Sequence, residues 1–145
     1  MITFFVSGEP ATAGSKHAFP FRKANGKLGV SVTHDNPKAK GWMEWVGFNA
    51  SQHFTDPIAG PVRLVLEFQL GRPVSHFTKK GDLKKGKSEF HLFKPDLTKM
   101  VRAVEDGLTG IAYKDDSQVV EQVNRKRYSE TIGVWITIEA IQNDQ

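Results

Sequence analysis

The clearest pattern along the chain is VRLVLEFQL, residues 62–70, where Val62, Leu64, Leu66, Phe68 and Leu70 alternate with mostly polar neighbours. A period of two predicts a strand with one face buried. The same alternation recurs near the end, in Ile132, Val134, Ile136, Ile138 and Ala140. The stretch from Val119 to Tyr128 before it reads as a strand paired with it. ITFFVSGEP predicts an opening strand ended by Gly8 and Pro10, and AFPFRKANGKLGVSV predicts a hairpin turning at Asn25-Gly26.

Two segments carry a helical period instead. After Asn36-Pro37, a cap followed by a first-turn proline, Trp42, Met43, Val46, Ala50 and Phe54 fall on one face, as core packing requires. The second stripe is Leu97, Met100, Val101, Val104, Leu108 and Ile111. Lys94 is pushed out of helical geometry by Pro95, Pro95 suits the first turn, and Gly110 suits the exit. Between them, residues 71–94 show no period and read as a long, basic, mobile loop. The order βββαβαββ predicts a single α+β domain over 1–145, with two helices packed on a mostly antiparallel mixed sheet.

Composition narrows the partners. The chain has 145 residues, no cysteine, a net charge of +4 and a pI near 9.4. Disulfides, thiolate metal sites and a cysteine nucleophile are excluded. No apolar run approaches the roughly 18 residues that cross a bilayer, and the N-terminus lacks the charged leader of a secretory signal. The expectation is a cytoplasmic protein of a bacterial host or phage-infected cell, with no membrane association and no small-molecule cofactor. The positive charge is concentrated at Lys79, Lys80, Lys84, Lys85 and Lys87, and again at Arg125, Lys126 and Arg127. Such clusters serve either as solvated faces or as phosphate contacts. The five histidines, His17, His34, His53, His76 and His91, show no metal-ligand spacing and read as structural or solvated, with those in the basic loop within reach of phosphate.

Against this basic background, KPDLTKMVRAVEDGLTGIAYKDDSQVV, residues 94–120, gathers Asp96, Asp106, Asp115 and Asp116 among Lys94, Lys99, Arg102 and Lys114. Each aspartate has a structural explanation: Asp96 at the positive end of a helix, Asp106 on its surface, Asp115 and Asp116 in a turn. Together they permit another. If the chain returns over the helix, carboxylates from its start and from the turn beyond it meet, and hard oxygens of that kind suit Mg²⁺. Flanking cations would then let DNA phosphate approach, giving metal-dependent phosphodiester hydrolysis.

These residues resemble the RusA-type Holliday junction resolvases, small endonucleases common in phages and prophages. The similarity lies in Lys94-Pro95-Asp96, the helix containing Ala103 and Asp106, and Tyr113 before Asp115-Asp116-Ser117-Gln118-Val119. The opening FFVSGEP with its basic hairpin agrees too. The resemblance implies an α+β fold, a homodimer, Mg²⁺ (or Mn²⁺) dependence and symmetric nicking of four-way or branched DNA in recombination and repair. It implies catalytic roles for Asp96, Asp116 and Arg102, metal ligation by Asp96, Asp106, Asp115 and Asp116, and DNA contacts from the two basic clusters with Lys94 and Lys99. It also marks two departures: Arg102 stands where a lysine is expected, and Thr98 where a metal-binding aspartate is expected. A junction-binding homologue without turnover is therefore the second reading. A basic protein–protein module, its aspartates all caps and turns, is the third.

Overall fold

The computed structural model describes residues 1–13, 16–34 and 36–142, and the side chains of His17 and His34 lie outside the described residues. Ten segments follow one another: β1 (Ile2–Ser7), β2 (Lys16–Arg22), β3 (Leu28–His34), α1 (Ala39–Ser51), β4 (Val62–Leu70), a short 3-10 turn at Val74–His76, α2 (Leu97–Leu108), a second at Asp116–Gln118, β5 (Val119–Tyr128) and β6 (Gly133–Ala140). The strand and helix order is the one the hydrophobic pattern predicts. β2 and β3 form a separate antiparallel hairpin. Its turn is built by Gly26 in the left-handed region (φ 81°) and by the Lys27 amide donating to Asn25 Oδ1.

The main sheet has the order β1-β6-β4-β5. β6 runs antiparallel to both β1 and β4, while β5 runs parallel to β4. The expected pairing of β5 with β6 is therefore corrected: β4 lies between them. The reason is the crossover. β4, α2 and β5 form a parallel βαβ unit, so the chain must climb back along α2 before β5 can start. Alternation alone shows that a strand has two faces; it does not name its neighbours.

One face of the sheet carries Val62, Leu64, Leu66 and Phe68, all inaccessible, and β6 adds Val134, Ile136 and Ile138. α1 and α2 cover it with Trp42, Val46 and Ala50 from the first helix and Met100, Val101, Val104 and Leu108 from the second. Met43 and Phe54, from the predicted α1 stripe, are only partly buried against this core. α1 begins at Ala39 rather than at Pro37, because Asn36 Oδ1 accepts the Lys38 amide and forms a turn ahead of the helix. Pro95 likewise precedes α2, whose N-cap is Asp96, and Gly110 (φ 87°) follows its last turn.

The two helices cross at glycines. A Cβ on Gly107 would stand 2.8 Å from the Met43 carbonyl oxygen and 3.1 Å from Val46, and one on Gly47 would stand 3.0 Å from the Gly107 carbonyl. Gly107→Ala gains about 1 kcal/mol of helix propensity but pushes backbone against backbone, and overpacking costs about 1–3 kcal/mol. We expect a net loss of about 1 kcal/mol for alanine and about 3 kcal/mol for valine. A lower urea midpoint at unchanged m-value would register it.

Candidate active site

α2 holds the acidic residues, and its direction decides where they sit. As the crossover of a parallel unit it runs opposite to β4 and β5, so its start and end lie at opposite ends of the sheet. Its 12 residues span about 18 Å. Asp96 caps the start, and Asp116 follows the turn beyond the end. The two residues are therefore set at opposite ends of α2, not side by side as the sequence reading expects. Among the described residues, no group of three or more His, Asp or Glu side chains is placed to hold a metal ion.

At the start of α2, the Asp96 backbone caps the helix but its carboxylate makes no capping hydrogen bond. Helix capping therefore does not account for its side chain. It is exposed, with Lys99 Nζ 3.9 Å away. Lys94, Thr98 and Lys99 are exposed around it. Lys126 reaches the same corner from β5, donating to the carbonyls of Phe93 (2.7 Å) and Pro95 (2.9 Å). It thereby fixes the chain entering α2.

At the far end stands a second acidic group. Glu105 is half-buried, and burial first, then the charges of Asp116 and Asp106, raises its carboxyl above the usual range, against a hydrogen bond with Gln122 and the charge of Arg102. Asp116 is raised by its hydrogen bond with Asp115, then by burial and by the charges of Asp115 and Asp106. Asp115 is lowered, chiefly by the Ser117 backbone amide, which donates to Oδ1 at 2.9 Å. Glu105 and Asp116 therefore resist ionisation beside each other, and repulsion from neighbouring carboxylates is part of the cause. Asp115 also belongs to a capping box with Gln118. Gln118 Nε2 donates to the Ile58 and Gly60 carbonyls (2.8 and 2.9 Å), clamping the turn against the entry to β4. Tyr113, fully buried, donates from its hydroxyl to the Glu105 carbonyl at 3.1 Å.

Glu105 and Gln122 escaped the sequence reading, and Gln118 entered it only as part of the resemblance, without a role. Glu105 sits beside Asp106 in the sequence, and its share in the site appears only once burial is known. Arg102 is exposed on α2 between the two acidic ends, and its charge reaches Glu105.

The basic clusters divide as well. Lys79, Lys80, Lys84, Lys85 and Lys87 are exposed on a loop with its own turns, including Thr78 N to Asp82 O and Lys84 N to His76 O. Strand alternation splits Arg125-Lys126-Arg127. The arginines lie on the sheet face away from the helices, 4.0 and 3.7 Å from Glu67, while Lys126 lies on the helix side. β5 is an edge strand, and residues 89–90 cover that edge only beside Arg127 and Tyr128. Along the rest, Val120 and Val123 are 64% and 45% exposed.

The α+β domain thus carries carboxylates at both ends of α2, with Lys94, Lys99 and Arg102 exposed along the same helix and its approach. The family model for the endodeoxyribonuclease RusA matches residues 10–139. A protein of Bacillus subtilis (strain 168), "Uncharacterized protein YqaN", is 34% identical over 145 residues, covering 97% of this chain and 96% of its own length. The chain belongs to the RusA endodeoxyribonuclease family. No helix among the described residues is long and apolar enough to cross a membrane.

Proposed function

We propose that this protein is a Mg²⁺-dependent, homodimeric endonuclease that nicks four-way or branched DNA. The observation that carries the reading is the division of the acids between the two ends of α2. A divalent cation needs several oxygen ligands, and a single protomer does not gather them. A two-fold partner supplies the remainder. If the free part of β5, residues 119–126, pairs antiparallel with its copy, the axis is perpendicular to the sheet and lies near Val123. α2 and its copy then run antiparallel on the same side. The Asp96 corner of one protomer, tied to Lys126, faces the Asp116 end of the other. The edge favours this: it is long, open and partly apolar, which is a template for strand pairing.

In that arrangement each site combines Asp96 of one protomer with Asp116 of the other, with Glu105, Asp106 and Asp115 beside Asp116. The cation, when bound, supplies Lewis acidity toward the scissile phosphate. The side chains do the rest. Arg102 offers a fixed positive charge to the developing phosphorane but holds its proton. Lys94 and Lys99 neutralise phosphate beside Asp96, and the lysine loop and Arg125 and Arg127 grip the backbone without reading sequence. Two symmetric sites give paired cuts.

One observation favours a protein that binds without cutting: Thr98, exposed on the first turn of α2 two residues from Asp96, offers a neutral hydroxyl where a carboxylate would bind metal. Cleavage of a synthetic four-way junction in Mg²⁺ and in EDTA separates the readings. We expect wild type to nick in Mg²⁺ and Thr98→Asp to nick faster by about tenfold, equivalent to about 1.4 kcal/mol of barrier. Tight binding with no nicking by wild type in Mg²⁺ or Mn²⁺ would support the second reading.

A further inference from the structure

Beside the start of α2 lies a cavity of about 830 Å³, and of the residues lining it the proposed hydrolysis uses Lys94 alone. Leu70, Gly71 and Ile132 form its apolar part. His76, His91 and Tyr128, all at most 9% exposed, line it together. Arg72 lies over the Tyr128 ring with its guanidinium carbon 4.5 Å from the centroid, and its Nη1 is 3.2 Å from His76 Nδ1. Because guanidinium only donates, His76 Nδ1 is the acceptor and Nε2 keeps the proton. His91 packs against Tyr128 at 5.1 Å. Its ring is nearly buried, with Nδ1 sealed from solvent.

The electrostatics agree with an anionic, hydrogen-bonding occupant. Burial, then Lys87, Arg72 and Lys84, lowers the His76 pKa; burial, then Lys126, lowers that of His91, against backbone hydrogen bonds that raise it. Both imidazoles therefore favour the neutral form, and His76, whose Nδ1 accepts from Arg72, keeps an Nε2–H to donate. Lys94 and Pro95 line the cavity and lead directly into Asp96.

We propose that this cavity receives one unstacked nucleotide of the DNA strand at the branch point, next to the phosphate to be cut. Its base would lie along the Arg72 guanidinium plane, its polar edge toward the His76 Nε2–H, and its phosphate against Arg72 and Lys94. Planar guanidinium surfaces and polar side chains are how unpaired bases are held. Glu9 at the rim adds an acceptor for an exocyclic amine. A perfect duplex, with every base stacked, cannot fill the pocket, whereas a branch point presents bases already strained out of the stack. The inference deepens the junction-nuclease reading and rests on it for the identity of the DNA.

The test uses full-length protein without metal, so that no cutting occurs. Junctions carry the fluorescent base 2-aminopurine at successive positions around the branch point, and the imidazole and Tyr128 ring signals are followed by NMR during titration with single-stranded pentathymidylate. Wild type is expected to brighten 2-aminopurine several-fold at one position beside the branch point, and pentathymidylate to shift the His76, His91 and Tyr128 signals. Ser75→Trp, which fills the cavity from an exposed lining position, and His91→Leu should each abolish the brightening while junction binding persists. Brightening at no position, with ring signals unmoved while those of the lysine loop shift, overturns the pocket and leaves the nuclease reading standing. Ring signals that shift in a protein with no preference for junctions over duplex keep the pocket and overturn the junction reading.

Discussion

Asp96→Asn and Asp116→Asn are each expected to reduce junction nicking on the order of 10²–10³-fold, the scale of losing one group that stabilises developing charge, while affinity for the junction in EDTA stays within a few-fold. The two effects separate if, as proposed, lysines and arginines elsewhere carry binding while the two carboxylates serve as cation ligands. Neither substitution should unfold the protein. The Asp96 carboxylate caps nothing and its contact with Lys99, 3.9 Å between exposed groups, contributes little to stability. Asp116 is exposed, and the hydrogen bonds that hold its turn come from Asp115 and Gln118. Single-turnover cleavage of a labelled four-way junction, beside thermal melting of each variant, measures both. Full-rate cleavage by either variant would place the chemistry elsewhere.

The fold was legible in the sequence where periodicity is long and uninterrupted. Val62 to Leu70 alternates without a break and every predicted inward position is buried, and the α2 stripe from Met100 to Leu108 is buried likewise. Neighbour relations were not legible. The parallel pairing of β4 with β5 depends on a crossover that no local pattern encodes, and it is this pairing that removes β6 from beside β5.

The site was readable as residue types and not as geometry. Asp96, Asp106, Asp115 and Asp116 stand out as acids in a basic chain, but their spacing gives no hint that α2 carries Asp96 away from the rest. That follows from helix length and strand direction, which are properties of the assembled unit. Lys126 illustrates the same limit: in the sequence it belongs to a basic triplet, and in the fold it is turned to the opposite face and tied to two carbonyls. Glu105 was passed over because its raised pKa comes from burial and from acids brought near it by the chain's return. His76, His91 and Arg72 carry no sequence motif at all; Tyr128 draws them together.

Restoration of activity by mixing two inactive proteins tests the shared site directly. A dimer of one Asp96→Asn and one Asp116→Asn protomer has, if sites are built across the two-fold axis, one site with both carboxylates intact and one with neither. Random reassortment makes half the dimers mixed, so nicking should return to about a quarter of the wild-type rate, as single nicks rather than paired cuts. The account predicts that unfolding and refolding the two variants together restores this nicking, while each refolded alone stays inactive. A refolded mixture that forms dimers and binds junctions yet stays as inactive as its components would contradict it, because both acids would then have to act from the same chain.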